Sequence, residues 1–556
     1  MKIIVLLYSI LTFINVKMVI CHKCGANKLK IKLKHVNASS KINKNLIGKC
    51  NSNSYTPIKI GFDFTTLEKP TNMKTSTLSN VKSILKETRE EFSKFLKVNH
   101  HDIDLSKYKE DLKNACGLNL IGEDYSNFLF QNDLIIFPMF YDFGPEILAA
   151  ASPCIIDIET RRPIVGIIYI NNKLNFEITN SKIYMKKLLL HEITHILIFH
   201  PEIFKYLGMS KIIGNNSYII SPKVIEKAKK HFNCSKLTEL ALENDGGKGS
   251  IGGHWESRYL LGDYMISTDY PDTSISDITL ALFEDSGLYK VNYYSGGLFK
   301  FGKNKGCDFF NKKCIEKEKA IFDEFCDVKD RPKCSSSRTI KSSCFLYDYD
   351  YELPKKYQYF SSSNKGGFIP ANYCPVALEL SNPNDYFPNH CQFGISLLAK
   401  EYGEKIGENS FCFISSLLPD NSKKDNSPVS ICYEVECDTK NKNIIVKIGS
   451  KRVICPSNGG SQTLDGFKGS IECPKYNDIC SFNENIMCND MFNCLKELSK
   501  NDLDELSYYD YEGNAIYLDE YSYYFDDFDP FITNECLNVS INLALFFLFY
   551  LILFIN

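Results

Sequence analysis

The run Leu188-Leu189-Leu190-His191-Glu192-Ile193-Thr194-His195-Ile196-Leu197-Ile198 constrains this chain more than any other stretch. It is apolar almost all round, so the helix it predicts, Ser181 to Phe199 with Pro201 as a stop, must lie inside a domain. Yet it carries two imidazoles and a carboxylate, which a buried helix accepts only when they have partners. His191 and His195 are four residues apart, one above the other on a helix face, so both can reach one metal ion. Zinc takes His nitrogen at about 2.0–2.1 Å, and a catalytic site of this type has three protein ligands and a water. Glu192 adjoins the first imidazole and is placed to act as general base on that water. A third ligand has to come from elsewhere in the chain.

The flanking sequence predicts what surrounds that helix. Pro57 to Phe64 alternates apolar and polar residues as a half-buried strand does. Leu78 to Val98 places Val81, Ile84, Leu85, Phe92, Phe95 and Leu96 at helical spacing, with Ser79 or Asn80 as cap. Asp133 to Met139 reads as a buried strand and Arg162 to Ile170 as a further strand, lying one short segment before the H-E-x-x-H helix. Strand, helix, strand, strand, helix indicates a mixed α+β lobe. A doubly wound nucleotide-binding sheet is disfavoured, because no glycine-rich phosphate loop follows a strand.

The ends and the cysteines bear on compartment. Lys2 precedes an apolar run, Ile3 to Val16, of signal-peptide length, with cleavage expected before His22. Of 22 cysteines, fifteen lie between Cys307 and Cys494. That skew predicts a well-packed region followed by one stapled by disulfides in an oxidising compartment. Sequons at Asn37, Asn215, Asn233 and Asn538 are compatible with secretion and glycosylation. Ile541 to Ile555 is apolar except for Asn542 and ends the chain without a basic flank, which predicts a glycolipid (GPI) anchor signal. Ahead of it, Asp502 to Asp529 is dense in Asp, Glu and Tyr and reads as a solvated stalk. A net charge of −2 gives no electrostatic case for nucleic acid.

For the third ligand, His200 is the near candidate. The compact metzincin pattern H-E-x-x-H-x-x-G-x-x-H would need Gly at 198 and His at 201, where this chain has Ile198 and Pro201. His254, in Gly252-Gly253-His254-Trp255-Glu256, is the better choice, since two glycines permit tight turns before it. Met265 follows and suits a Met-turn, whose thioether floors a metal site. The ordered set His191-Glu192-Ile193-Thr194-His195, Gly253-His254-Trp255-Glu256 and Met265 resembles the leishmanolysin family of secreted zinc metallopeptidases, in which a long insertion separates the second and third ligands. The resemblance continues through Ala149 to Cys154, Pro163 to Ile170, Ala281 to Tyr289 and Gly302 to Phe310. It extends to Tyr373-Cys374-Pro375-Val376, Cys432 to Cys437 and Gly466 to Pro474, covering roughly residues 55 to 495.

The resemblance implies a metzincin-like catalytic domain of mixed sheet plus active-site helix, followed by a disulfide-rich C-terminal region. It implies one zinc on His191, His195 and His254, Glu192 as general base and acid, Met265 as structural, and protein or peptide substrates. A substrate strand is expected to add to the edge of Ile164 to Ile170, and Tyr264 or Tyr169 is a candidate for assisting the oxyanion. His22-Lys23-Cys24 resembles the pro-segment motif whose thiolate fills the open zinc position, although Gly25-Ala26-Asn27 departs from the family's continuation. Ile198 is the other departure: the family's Gly permits a left-handed helix exit that strains a β-branched residue. The expected organisation is signal peptide 1–21, pro-segment 22–54, N-terminal catalytic subdomain 55–200 and, at 201–300, the insertion with third ligand and Met-turn. A Cys-rich domain 301–495, stalk 496–535 and hydrophobic tail 536–556 follow. The function expected is a zinc endopeptidase, secreted or held at the outer face of the plasma membrane. The alternative is an inactive surface adhesion protein of the same fold.

Overall fold

The computed structural model describes residues 33–36 and 55–480, apart from internal stretches of which 68–72, 118–128, 175–180, 294–298 and 380–388 are the longest, together with 508–509 and 515–516. The signal peptide, Cys24, most of the pro-segment, most of the stalk and the hydrophobic tail lie outside the described residues. Among the described residues, no helix is long and apolar enough to cross a membrane.

The main sheet has five strands. They are β1 (Lys34–Val36), β2 (Ile60–Phe62), β3 (Leu134–Tyr141), β4 (Ala149–Asp157) and β5 (Pro163–Asn171), in the order β1-β4-β5-β3-β2. The β2–β3, β3–β5 and β1–β4 pairs are parallel, and β4 runs antiparallel to β5. The sheet is therefore mixed, as the α+β reading requires. β3 to β5 are apolar on both sides because both sheet faces are covered. Leu134, Ile136, Ala149, Ala151, Ile168 and Ile170 face the large core, whereas Ile135, Phe137, Ile155, Val165 and Ile167 face a smaller one.

Helix α1 (Thr75–Phe95) buries Val81, Ile84, Leu85, Phe92 and Phe95 in the large core. It starts before the expected Ser79 or Asn80 cap and stops short of Val98. The chain leaves it at Leu96 because Leu96–Asn99 pairs with Tyr55–Pro57, and backbone pairing there displaces the last helical turn. On the smaller face, α2 (Lys109–Cys116) contributes Leu112, Ala115 and Cys116. Cys116 and Cys154 both keep buried free thiols, and burial pushes the Cys154 thiol well up.

Helix α3 (Ser181–Leu197) carries the H-E-x-x-H run and buries Met185, Leu188, Leu189, Leu190, Ile193, Ile196 and Leu197. Lys186 is tolerated on it because its Nζ lies 3.7 Å from both Glu87 and Glu91 of α1. At Gly166 of β5 the sheet comes close against α3: a Cβ there would collide with the side chain of Ile196. Beyond α3 come α4 (Pro201–Tyr206), a hairpin of Ser210–Ile213 with Asn216–Ile219, α5 (Pro222–Phe232), α6 (Ser257–Leu260) and α7 (Asp277–Asp285).

The large core runs on through Cys314, Cys344, Phe368 and Val376. A second core, Tyr402 to Cys480, sits on a six-stranded antiparallel sheet whose central strands are Ser410–Ser415 and Val429–Asp438. Among the described residues, seven disulfides join Cys234–Cys307, Cys314–Cys374, Cys326–Cys344, Cys334–Cys412, Cys391–Cys432, Cys437–Cys480 and Cys455–Cys473. All but the first lie wholly beyond residue 300, the region where the cysteine skew predicts them.

Candidate metal centre

Helical spacing brings His191 and His195 together, and their Nε2 atoms are 2.9 Å apart. His254 arrives from a separate loop held by two backbone bonds, Glu243 N–H to the His254 carbonyl and Trp255 N–H to the Met265 carbonyl, each 2.9 Å. Gly252, at φ +75°, makes the turn into it. The three imidazoles present ligand atoms all within 4.8 Å of one another. Nitrogens sharing one tetrahedral zinc stand about 3.3 Å apart, given metal–nitrogen bonds of about 2.0–2.1 Å.

Hydrogen bonding sets the tautomers. Nδ1 of His191 lies 2.7 Å from the Tyr264 carbonyl, that of His195 2.7 Å from the Phe199 carbonyl, and that of His254 3.0 Å from the Ser250 carbonyl. A carbonyl only accepts, so each Nδ1 carries the proton and each Nε2 presents a lone pair. Burial holds all three neutral: it pushes His191 down to about 4, His254 to about 3 and His195 well below the usual value. The His191–His195 contact is then one between two lone pairs, and Nε2 of His254 is buried without a hydrogen-bond partner. Facing acceptors repel in a low-dielectric interior unless a cation lies between them. The donor set thus fits zinc, which prefers neutral imidazole nitrogen in tetrahedral array.

Glu192 is fully buried on α3 next to His191. Met265 is fully buried as well, its N–H donating to Asp263 Oδ1 at 2.8 Å. His200 stands outside the triad and serves another purpose: its Nδ1 accepts from Glu202 N–H at 3.2 Å and caps α4. The hydroxyl of Tyr264 is committed elsewhere. It lies 3.0 Å from Thr194 Oγ1, which donates to the Leu190 carbonyl at 2.8 Å, so Tyr264 is the donor. Tyr169 packs edge-on against Tyr141 and Phe143. The expected docking edge on Ile164 to Ile170 does not exist, because β5 is interior, paired with β3 on one side and β4 on the other.

Sequence reasoning missed the groups behind the ligands. The acceptors on Tyr264, Phe199 and Ser250 are backbone atoms that no side-chain motif reveals. Asp263, Ser276 and Thr279 form a buried polar cluster whose members look unremarked in sequence.

A mixed α+β domain whose buried H-E-x-x-H helix and later loop bring three neutral imidazoles to one point is the class of fold that offers a candidate metal site. The sequence profile of the leishmanolysin family, Peptidase M8, matches residues 71–487. A "Leishmanolysin homolog" of Crithidia fasciculata is 27% identical over 388 residues, covering 66% of this chain and 58% of the relative. "Leishmanolysin" of Leishmania tropica is 26% identical over 385 residues, covering 65% and 56%. A "Leishmanolysin-like peptidase" of Caenorhabditis briggsae is 30% identical over 318 residues, covering 50% and 48%. The matched part is thus less than two thirds of each relative's length. The chain belongs to the leishmanolysin family, a family of zinc metallopeptidases.

Proposed function

We propose that this protein is a zinc endopeptidase in which His191, His195 and His254 hold the metal and Glu192 moves the proton. The observation that carries the reading is the convergence of three neutral, Nδ1-pinned imidazoles beside a buried carboxylate. Zinc, when bound, supplies Lewis-acid polarisation of the scissile carbonyl and lowers the pKa of a coordinated water. The chain's own residues do the rest. The carbonyls of Tyr264, Phe199 and Ser250 fix the rings so that each Nε2 stays unprotonated at neutral pH. Glu192 accepts a proton from the attacking water and returns it to the leaving amine. His191 is the one member of the triad with partial exposure, so substrate approaches from its side.

In this reading residues 22–54 are a pro-segment with Cys24 as a latency thiol, and the protein acts on protein or peptide substrates after export. It is either secreted or held at the outer membrane face through the 536–556 signal. The purified ectodomain should contain one zinc per chain and cleave a quenched peptide. Glu192→Ala should keep the zinc and lose about 10²–10⁴-fold in kcat. Equal turnover by both forms would sink the peptidase reading, and zinc without turnover in either would indicate a binding protein of the same fold.

A further inference from the structure

The groups behind the metal ligands form one connected unit. Trp255, the residue after His254, is fully buried, and its Nε1–H donates to Thr279 Oγ1 at 2.7 Å. Thr279 in turn donates to Asp263 Oδ2 at 2.7 Å, so a single hydroxyl accepts from the indole and donates to the carboxylate. Ser276 donates to the same oxygen at 2.5 Å while accepting the Thr279 N–H at 3.1 Å, which also caps α7. The other oxygen, Oδ1, accepts the Met265 N–H at 2.8 Å. Asp263 is fully buried. A buried carboxylate accepting from two hydroxyls and a backbone amide is held rigidly, since each lost bond strands a desolvated group.

All three ligands connect to this hub. Asp263 and Met265 flank Tyr264, whose carbonyl receives His191 Nδ1 at 2.7 Å. His254 precedes Trp255 in the chain. Phe199, whose carbonyl receives His195 Nδ1, packs edge-on against the Trp255 ring at 5.0 Å. The Met-turn, the third-ligand loop and the end of α3 thus share one support.

We propose that Asp263, through the Thr279–Trp255 relay, is the positioning residue that sets the geometry of the three imidazoles toward the metal. The inference rests on the metal-centre reading. Asp263 touches neither ligand nor substrate. It acts by fixing the Tyr264 carbonyl on one side and the indole plane on the other. Partners of this kind move metal affinity by about 10- to 100-fold.

Thr279 provides the cleanest test, because Thr279→Val keeps shape and removes only the hydroxyl, while Thr279→Ser restores it. Zinc affinity would be measured by chelator competition, and site geometry by the visible spectrum of the cobalt-substituted protein. Trp255 is the only tryptophan, so its emission reports the hub directly. Thr279→Val and Asp263→Asn should each weaken zinc about 10- to 100-fold, alter the cobalt spectrum and lower kcat more than they change KM. Thr279→Ser should return all of these to wild type. If Asp263→Asn does not fold, the Val and Ser pair at 279 decides. Folded Thr279→Val with wild-type zinc affinity and cobalt spectrum overturns the inference and leaves the metal centre standing. A wild-type protein that takes no zinc overturns the metal centre itself.

Discussion

Ile198 breaks a family pattern, and the local backbone accommodates it. A glycine at this place suits a left-handed helix exit, but Ile198 is not among the residues with positive φ. Its N–H donates to the Thr194 carbonyl at 2.9 Å, and the Phe199 N–H takes the same carbonyl at 2.9 Å. The helix therefore closes without a left-handed residue at 198, and the Ile198 side chain is fully buried in the large core. Ile198→Gly should therefore destabilise the protein by about 2–4 kcal/mol in denaturant unfolding, from lost burial and added chain entropy. A gain in activity without loss of stability would contradict this. Glu379 gives a pH signature. It is 7% exposed, and burial pushes its carboxyl up to about 7. Between about 4.5, where an unfolded glutamate titrates, and 7, the folded state binds the extra proton, so stability falls as pH rises through that window. Glu379→Gln should match wild type near pH 4.5 and gain about 1–3 kcal/mol at pH 8, read as Tm against pH. At this scale, His191, Glu192, His195 and His254 were legible because their chemistry is written in side chains. The Tyr264, Phe199 and Ser250 acceptors were not, because a backbone carbonyl has no letter of its own.

At the scale of elements, hydrophobic period placed β2, β3, β5 and both long helices to within a few residues. It missed β4 and the order within the sheet. Arg162 to Ile170 reads as a strand, yet its apolar pattern does not distinguish an interior strand from an edge covered by helices, so the docking edge was misplaced. The sheet edges belong to β1 and β2, and β4 carries β1 along Ile155 to Asp157. The close approach of β5 to α3 at Gly166 is equally hidden, since one glycine in an apolar run has many explanations. Gly166→Ala should lower stability by about 1–3 kcal/mol through collision with Ile196. Combined with Ile196→Ala, the loss should be smaller than the sum of the two single changes. Strict additivity would show that the contact does not set the strand-to-helix distance.

For the whole molecule, the cysteine skew anticipated where staples would be needed but not which thiols would meet, because pairing depends on distances that only the folded chain supplies. Among the described residues no disulfide lies upstream of Cys234, and Cys334–Cys412 sits in a small cluster of its own with Cys391 and Cys432. The described parts of the sheet and α3 thus carry no crosslink of their own, whereas Cys437–Cys480 and Cys455–Cys473 close on the second core. Mild reduction without denaturant should open residues beyond 400 to limited proteolysis first, with zinc retained. First cuts between Leu134 and Leu197 would refute this division of labour.

One of the two three-residue edge strands of the main sheet carries a consequence of its own. β1 offers only three residues to β4, with Lys34 paired to Asp111 and His35 against the Tyr206 ring. So short a ladder persists because the chain keeps it at high effective concentration, an advantage that vanishes once the tether is cut. Lys41, Lys44 and Lys49 lie in that tether. A single tryptic nick there should turn a resident strand into a dissociating peptide, detected by mass spectrometry, and leave the end of β4 open to a new neighbour.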